Sequence, residues 1–173
     1  MDLPEVIDFI DQADKEVGKY RIDFYLSPRK LASSAYVLPS LNWQSIKYGE
    51  ADLDKVPNDK RGVYAFVIHQ PSLVLPPHGY VMYIGIAGKR CNRSLKDRYR
   101  DYLNQKKVIK REKIAWMIAN WHTVLRFYFA PVEKSITSDH LEEIEKQLNS
   151  AMLPPCSSAD LEADTKRKRR AFK

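Results

Sequence analysis

Apolar and polar residues repeat along this chain with two different periods, and the switches between them mark out the elements. Val6, Ile10, Ala13 and Val17 recur at the spacing of one helical face. Asp2 can cap a first turn that tolerates Pro4, so residues 3–18 read as an amphipathic helix. Residues 19–60 hold no sustained period. Pro28, Pro39, Pro57 and an acidic stretch at 50–54 give them the look of an irregular extension packed on a core. Gly62 to Ile68 (GVYAFVI) and Tyr80 to Ile86 (YVMYIGI) are apolar runs rich in β-branched and aromatic residues, as buried strands are. Three prolines and a glycine between them predict a loop, hence an antiparallel pair with a long connection. Ser94 and Asp97 resemble a capping box opening a helix from 94 to about 104. Ile114, Met117, Ile118 and Trp121 place a second helix over 111–122. Val124 to Ala130 (VLRFYFA) predicts a third strand stopped by Pro131. Ser138 or Asp139 can cap a last helix that turns Leu141, Ile144, Leu148 and Met152 inward and ends at Pro154-Pro155.

The expected fold is therefore α/β in the α+β sense: a small three-stranded antiparallel sheet flanked by helices, with an N-terminal helical extension. The extension spans 1–60, the core 61–158 and a basic tail 159–173. With 173 residues, 44% of them hydrophobic, the chain can bury one good core but not two large ones. No apolar run approaches the ~18 residues of a membrane span. The acidic start, Met1 to Glu5, lacks the basic and apolar pattern of a signal peptide, so a cytoplasmic protein is expected. Cys91 and Cys156 form no CxxC pair and have no His at zinc spacing, so two reduced thiols are the plain reading.

The net charge of +7 is unevenly spread. Residues 1–60 hold 8 Lys and Arg against 11 Asp and Glu, whereas 61–173 hold 21 against 11. The excess peaks over 86–113 and again at Lys166 to Arg170. Such asymmetry suggests a polyanionic partner for the C-terminal two thirds, against the plainer alternative of a solvated basic surface.

A few residues stand out chemically. Glu145 shares a helical stripe with Leu141 and Leu148, where a carboxylate is costly unless paired or bound to a metal; the commoner outcome is a boundary residue facing water. Arg98 lies on the stripe of Leu95 and Tyr102. It can offer a fork to a phosphate or make a structural ion pair, Glu145 being one candidate partner. Arg93, Lys96 and Arg100 read as facing solvent or a nucleic-acid backbone. Tyr64, Tyr80 and Tyr83 sit in adjacent strands, where most tyrosines are simply core. Gly85 can admit a close neighbour, and Gly88 with Lys89 and Arg90 can form a turn that offers N–H groups and charge to a phosphate, or only a strand-to-helix turn.

Gly62-Val63-Tyr64 followed by Tyr83-Ile84-Gly85 resembles the paired signature of the GIY-YIG nuclease superfamily. The resemblance continues through Leu95-x-x-Arg98 on the next helix, Glu145-x-x-Leu148 on the last one, and Pro154 nine residues after the glutamate; it covers about 62–157. Each tripeptide alone is weak, but five elements in order on the expected structural types are specific. The chain departs from the pattern in three places. The 18 residues between Tyr64 and Tyr83 exceed the usual short hairpin, which makes 69–79 an insertion. Tyr102 stands where many relatives have His, and Ser157 stands where the family usually has Asn; Asn149 comes too early to substitute.

The resemblance implies a metal-dependent endonuclease that hydrolyses phosphodiesters, with DNA expected ahead of RNA. Glu145 would bind one Mg²⁺ or Mn²⁺. Arg98 would clamp a non-bridging oxygen, and Tyr64 would orient or deprotonate the attacking water. Tyr83 would position water or phosphate, supported by Gly62, Gly85, Tyr102 and Ser157. Lys89, Arg90, Arg93, Lys96 and Arg100 would flank the nucleic acid, and the oligomeric state stays open. Two rival readings remain: a nucleic-acid-binding module that keeps the fold but cuts poorly, and an interaction protein that docks through helix 3–18.

Overall fold

Four antiparallel strands form one sheet in the order β1–β4–β2–β3: β1 (Gln44–Lys47), β2 (Gly62–Ile68), β3 (Tyr80–Ala87) and β4 (Leu125–Pro131). The computed structural model describes residues 3–25, 41–69, 76, 78–88, 93–157 and 167. Five α-helices accompany the sheet among them: α1 (Leu3–Glu16), α2 (Leu95–Leu103), α3 (Gln105–Ile109), α4 (Glu112–Trp121) and α5 (Ser138–Met152). The expected three-stranded sheet is corrected to four. β1 escapes the hydrophobic pattern because it is a four-residue edge strand in which only Ile46 is buried, so no alternation has room to develop.

β2 pairs with β3 on one side and β4 on the other, and its alternation divides the core. Tyr64 and Phe66 face one way, into a cluster with Phe127, Phe129, Leu95, Tyr99, Tyr102, Ile114 and Met117; this is the side covered by α2 and α4. Val63 and Ala65 face the other way, with Ile84, Ile86, Leu141 and Ile144, under α5. Each fully buried large side chain contributes roughly 1.5–3 kcal/mol of transfer free energy, so the aromatic side is the heavier anchor. A bulge shifts the β2–β3 register between Phe66 and Val67, and the pairing Phe66↔Tyr83 puts Tyr83 on the aromatic side.

The helix ends follow local chemistry. Ser94 accepts from the Asp97 amide while the Asp97 carboxylate accepts from the Ser94 amide, a full capping box on α2. α5 is capped one residue earlier than expected, by Thr137, whose hydroxyl accepts from the His140 amide. After α5 the chain folds back along the outer edge of β3: the Cys156 amide donates to the Met82 carbonyl at 2.9 Å, and the Ile84 amide donates to Ser157 Oγ at 3.2 Å. That edge is thereby closed by the chain itself.

The first 60 residues behave as two parts. Ile46 and Val56 are buried in the core, and Tyr48 and Gly49 brace α2: Tyr48 Oη donates to the Tyr102 carbonyl at 2.7 Å, and Tyr99 Oη exchanges two 2.9 Å bonds with the Gly49 backbone. α1 forms at the predicted place, yet none of its residues is buried, and Leu3, Val6, Ile7, Phe9 and Ile10 all stay exposed. Beyond it, Tyr20 reaches Trp121 and Phe24 reaches Tyr80.

Candidate active site

On the aromatic face the structure gathers three tyrosines and two guanidinium groups. Tyr64 on β2 and Tyr102 on α2 share a 2.7 Å hydrogen bond between their phenol oxygens. Arg98, one turn before Tyr102, donates from Nε to the Tyr64 oxygen at 3.1 Å, and its guanidinium lies over the Tyr102 ring. Arg111, which precedes α4, donates to the Tyr83 oxygen at 3.2 Å, and its guanidinium lies 4.8 Å from the Tyr102 ring centre. Tyr83 packs against both other tyrosines. Arg111 was not singled out in the sequence. The only signal available is its place at the first position of the helix read over 111–122, within the basic peak over 86–113.

Glycine makes this closeness possible. Gly85 faces Tyr64 across the strands, and a Cβ there would stand 2.5 Å from the Tyr64 oxygen and 3.0 Å from the Tyr83 ring. Gly62 is equally confined, because a Cβ would run into the Ala130 carbonyl of β4. The two glycines of the paired tripeptides thus act through space for a neighbour, and neither needs an unusual backbone angle.

Burial sets the electrostatics. The Tyr64 phenol is fully enclosed and its pKa is driven well above the ordinary value, first by burial and then by Tyr102 and Tyr83, with Arg98 opposing. Tyr83 is raised likewise by burial and Tyr102, against Arg111. Both are neutral phenols at neutral pH, which makes them hydrogen-bonding groups rather than ready bases. Arg98 keeps its charge, and its side chain remains one-third exposed.

The basic residues around α2 are less free than expected. Asp101, with 11% of its side chain exposed, binds Arg93 at 2.8 Å and Lys107 at 2.6 Å and lies 3.7 Å from Arg98. Burial raises the Asp101 pKa, but the Arg93 and Lys107 contacts outweigh it and hold the carboxyl below its usual range. The ion pair seen for Arg98 is therefore with Asp101, three residues on. Lys96 does not face solvent: its side chain is 12% exposed and reaches Asp54 at 2.8 Å, which corrects the expectation. Arg100 is half exposed and pairs loosely with Asp97 at 3.3 Å. Lys89 and Arg90 lie outside the described residues, as does the basic tail apart from Arg167.

Glu145 sits on α5, the layer across the sheet from the tyrosines, and is 5% exposed. One turn further on, Asn149 is fully buried. Its Nδ2 donates to the Glu145 carbonyl at 3.0 Å, while its Oδ1 has no hydrogen-bond partner among the described residues. Ser157 uses its hydroxyl on the β3 backbone, accepting from Ile84 N and lying 3.5 Å from Ile84 O. The structure thus joins Tyr64, Tyr83, Tyr102 and Arg98 in one cluster and sets Glu145 and Ser157 on the other side of β3 or along its edge. Among the described residues no group of three or more His, Cys, Asp and Glu stands together as a closed metal site. Glu145 and the Asn149 Oδ1 one turn away are oxygen donors of the kind a hard cation takes, both enclosed on the α5 side of the sheet.

No protein-family model matches the chain, and neither the curated proteins nor the solved structures include a match to it. Among the described residues no helix is long and apolar enough to cross a membrane.

Proposed function

We propose that this chain is a GIY-YIG-type endonuclease that hydrolyses nucleic-acid phosphodiesters, DNA ahead of RNA, with one divalent cation. The observation that carries this reading is the convergence of Tyr64, Tyr83 and Arg98 around Gly85. These residues are far apart in sequence, and the resemblance names them together, the tyrosines through the paired tripeptides and Arg98 through Leu95-x-x-Arg98.

In the reaction, water oxygen attacks phosphorus and the bond to the 3′ oxygen breaks, leaving a 5′ phosphate and a 3′ hydroxyl. Arg98 stabilises the charge that builds on a non-bridging oxygen; removing one such donor from a site of this kind costs ~10²–10³ in kcat. The Tyr64 phenol holds the Arg98 guanidinium through Nε, Asp101 Oδ2 lies 3.7 Å from Nη1, and the one-third of the side chain left exposed faces substrate. Tyr83, at the margin of the cluster and steadied by Arg111, orients the attacking water as a neutral phenol. Glu145 holds the cation, Mg²⁺ or Mn²⁺, which when bound offsets charge at the phosphate and the leaving oxygen.

A second reading, a binding module that keeps the fold, is favoured by the complete enclosure of Tyr64. Incubation of plasmid, single-stranded DNA and RNA with Mg²⁺, with Glu145→Ala and Arg98→Ala alongside, separates the two. Metal-dependent cleavage lost in both variants supports the nuclease. Cleavage undiminished in Glu145→Ala removes the mechanism, and binding without cleavage in the unaltered chain selects the module.

A further inference from the structure

A cleft of about 410 Å³ opens where the start of β2, the end of β3, the cap of α2 and the segment after β4 meet. Lys60, Arg61, Arg93 and Lys134 line it, together with Asn58 and Ser94. One carboxylate, Asp59, also borders it and opposes an anion, and Arg93 is paired with Asp101, so the excess of positive charge comes from Lys60, Arg61 and Lys134.

Two of the cations are held in place. The Arg61 side chain lies over Gly88, whose φ is +95°; a Cβ on Gly88 would come within 2.6 Å of Arg61 Cβ. Arg61 Nη1 also reaches Ser138 Oγ at 3.4 Å. Arg93 is fixed by Asp101 at 2.8 Å and by the Asp97 carbonyl at 3.3 Å. The Arg61 guanidinium, its stem already ordered over Gly88, loses less entropy on binding, and its fork of N–H groups matches a phosphate. Lys60 and Lys134 make no ion pair among the described residues. The first amides of α2 are already used: Leu95 N donates to the Lys60 carbonyl and Lys96 N to the Pro57 carbonyl. The attraction for an anion therefore comes from side chains and not from the helix end.

The cleft is coupled to the tyrosine cluster. Asp101 contacts Arg93 on the cleft side and Arg98 on the tyrosine side. Ser94 and Arg98 are separated by four residues of helix, ~6 Å along its axis. A nucleic-acid strand advances ~3.4 Å per phosphate, so that distance corresponds to a strand position one or two phosphates away.

We infer that the cleft binds a backbone phosphate of the strand being cut, next to the scissile one. The inference rests on the nuclease reading for the identity of the polymer, but its phosphate chemistry stands on the cleft residues alone. Bound there, the strand is held in register, so that the neighbouring phosphate meets Arg98.

The test uses the full chain with Lys60→Gln/Lys134→Gln, two side chains that make no ion pair among the described residues, and Lys47→Gln on β1, the opposite edge strand of the sheet, as control. Binding of labelled DNA is measured with Ca²⁺ replacing Mg²⁺ across a salt series, cleavage is measured with Mg²⁺, and inorganic phosphate is titrated by NMR. Weaker binding in the double variant, a salt slope smaller by about one phosphate contact, and a KM raised more than kcat is lowered are the expected results. The control should match the unaltered chain. Cleavage and salt slope unchanged in the double variant overturn the cleft assignment and leave the nuclease standing. Inorganic-phosphate shifts lost in the double variant, from a chain that binds neither DNA nor RNA, overturn the nucleic-acid source together with the nuclease reading. A chain that binds neither polymer nor phosphate overturns the cleft assignment as well.

Discussion

The two faces of the sheet are built from the same strands and carry opposite chemistry. Toward α2 and α4, the residues on β2 and β3 are Tyr64, Phe66 and Tyr83, joined to Arg98, Arg111 and Tyr102 in a web of phenols and guanidinium groups. Toward α5 they are Val63, Ala65, Ile84 and Ile86, an aliphatic floor on which Glu145, Asn149 and Ser150 are the buried polar intruders from the helix. One face satisfies its polar atoms internally. The other leaves the Asn149 amide oxygen buried and unpaired. A polar web that is already satisfied rigidifies a cluster, whereas an orphaned acceptor marks a place where something polar is missing. The proposed reaction needs Arg98 from one face and Glu145 from the other to serve one phosphate.

The strongest way to break this comparison is to disable each face in turn. Arg98→Ala should lower kcat by ~10²–10³, and Glu145→Ala by at least as much, in single-turnover cleavage with Mg²⁺. Loss on the first face with full activity on the second would show that the two faces share no site. Gly85→Ala comes next. The added methyl collides with Tyr64 and Tyr83, so chemical denaturation should show a loss of ~1–3 kcal/mol and cleavage should fall with it.

The aromatic face also predicts an alkaline weakness. Tyr64 and Tyr83 have folded pKa values raised above the unfolded ~10, so their contribution to stability is intact below that pH and is lost as pH climbs past it. Denaturation midpoints above pH ~10 should drop steeply in the unaltered chain and less steeply in Tyr83→Phe. A slope unchanged by that substitution would mean the phenol is not the group titrating. The smallest effect is expected on the other face. Asn149→Leu removes an unpaired oxygen along with one hydrogen bond, and stability should move by no more than ~1 kcal/mol. A larger loss, or a change in the metal concentration needed for cleavage, would show that Oδ1 serves the cation site.

Much of the core could be read directly from the chain. β2 begins and ends where the apolar run does, β3 begins with its run and extends one residue past it, and Ser94 and Asp97 close α2 as their spacing indicates. β1 could not be read, since a short edge strand with one inward residue leaves no periodic trace. α1 shows the reverse failure. Its apolar spacing is strong and the helix forms, yet that face meets no buried surface, because periodicity reports a helix's shape and not its partner. In the candidate site, the sequence singled out Tyr64, Tyr83, Arg98 and Glu145 but gave no reason to choose Arg111 or Asp101.

What the linear pattern decided by itself was local: which stretches are strands and helices, which face of each is apolar, and which tripeptides and charges stand out. Those properties depend on residues within a turn or two of one another. The tertiary structure alone decided that Gly85 leaves room for the Tyr64 ring, that Asp101 draws Arg93, Lys107 and Arg98 together, and that Lys60 and Lys134 border one cleft. Apart from the Arg98–Asp101 pair within α2, those contacts join residues from separate elements, which strand pairing and the packing of the helices on the sheet bring within a few ångströms.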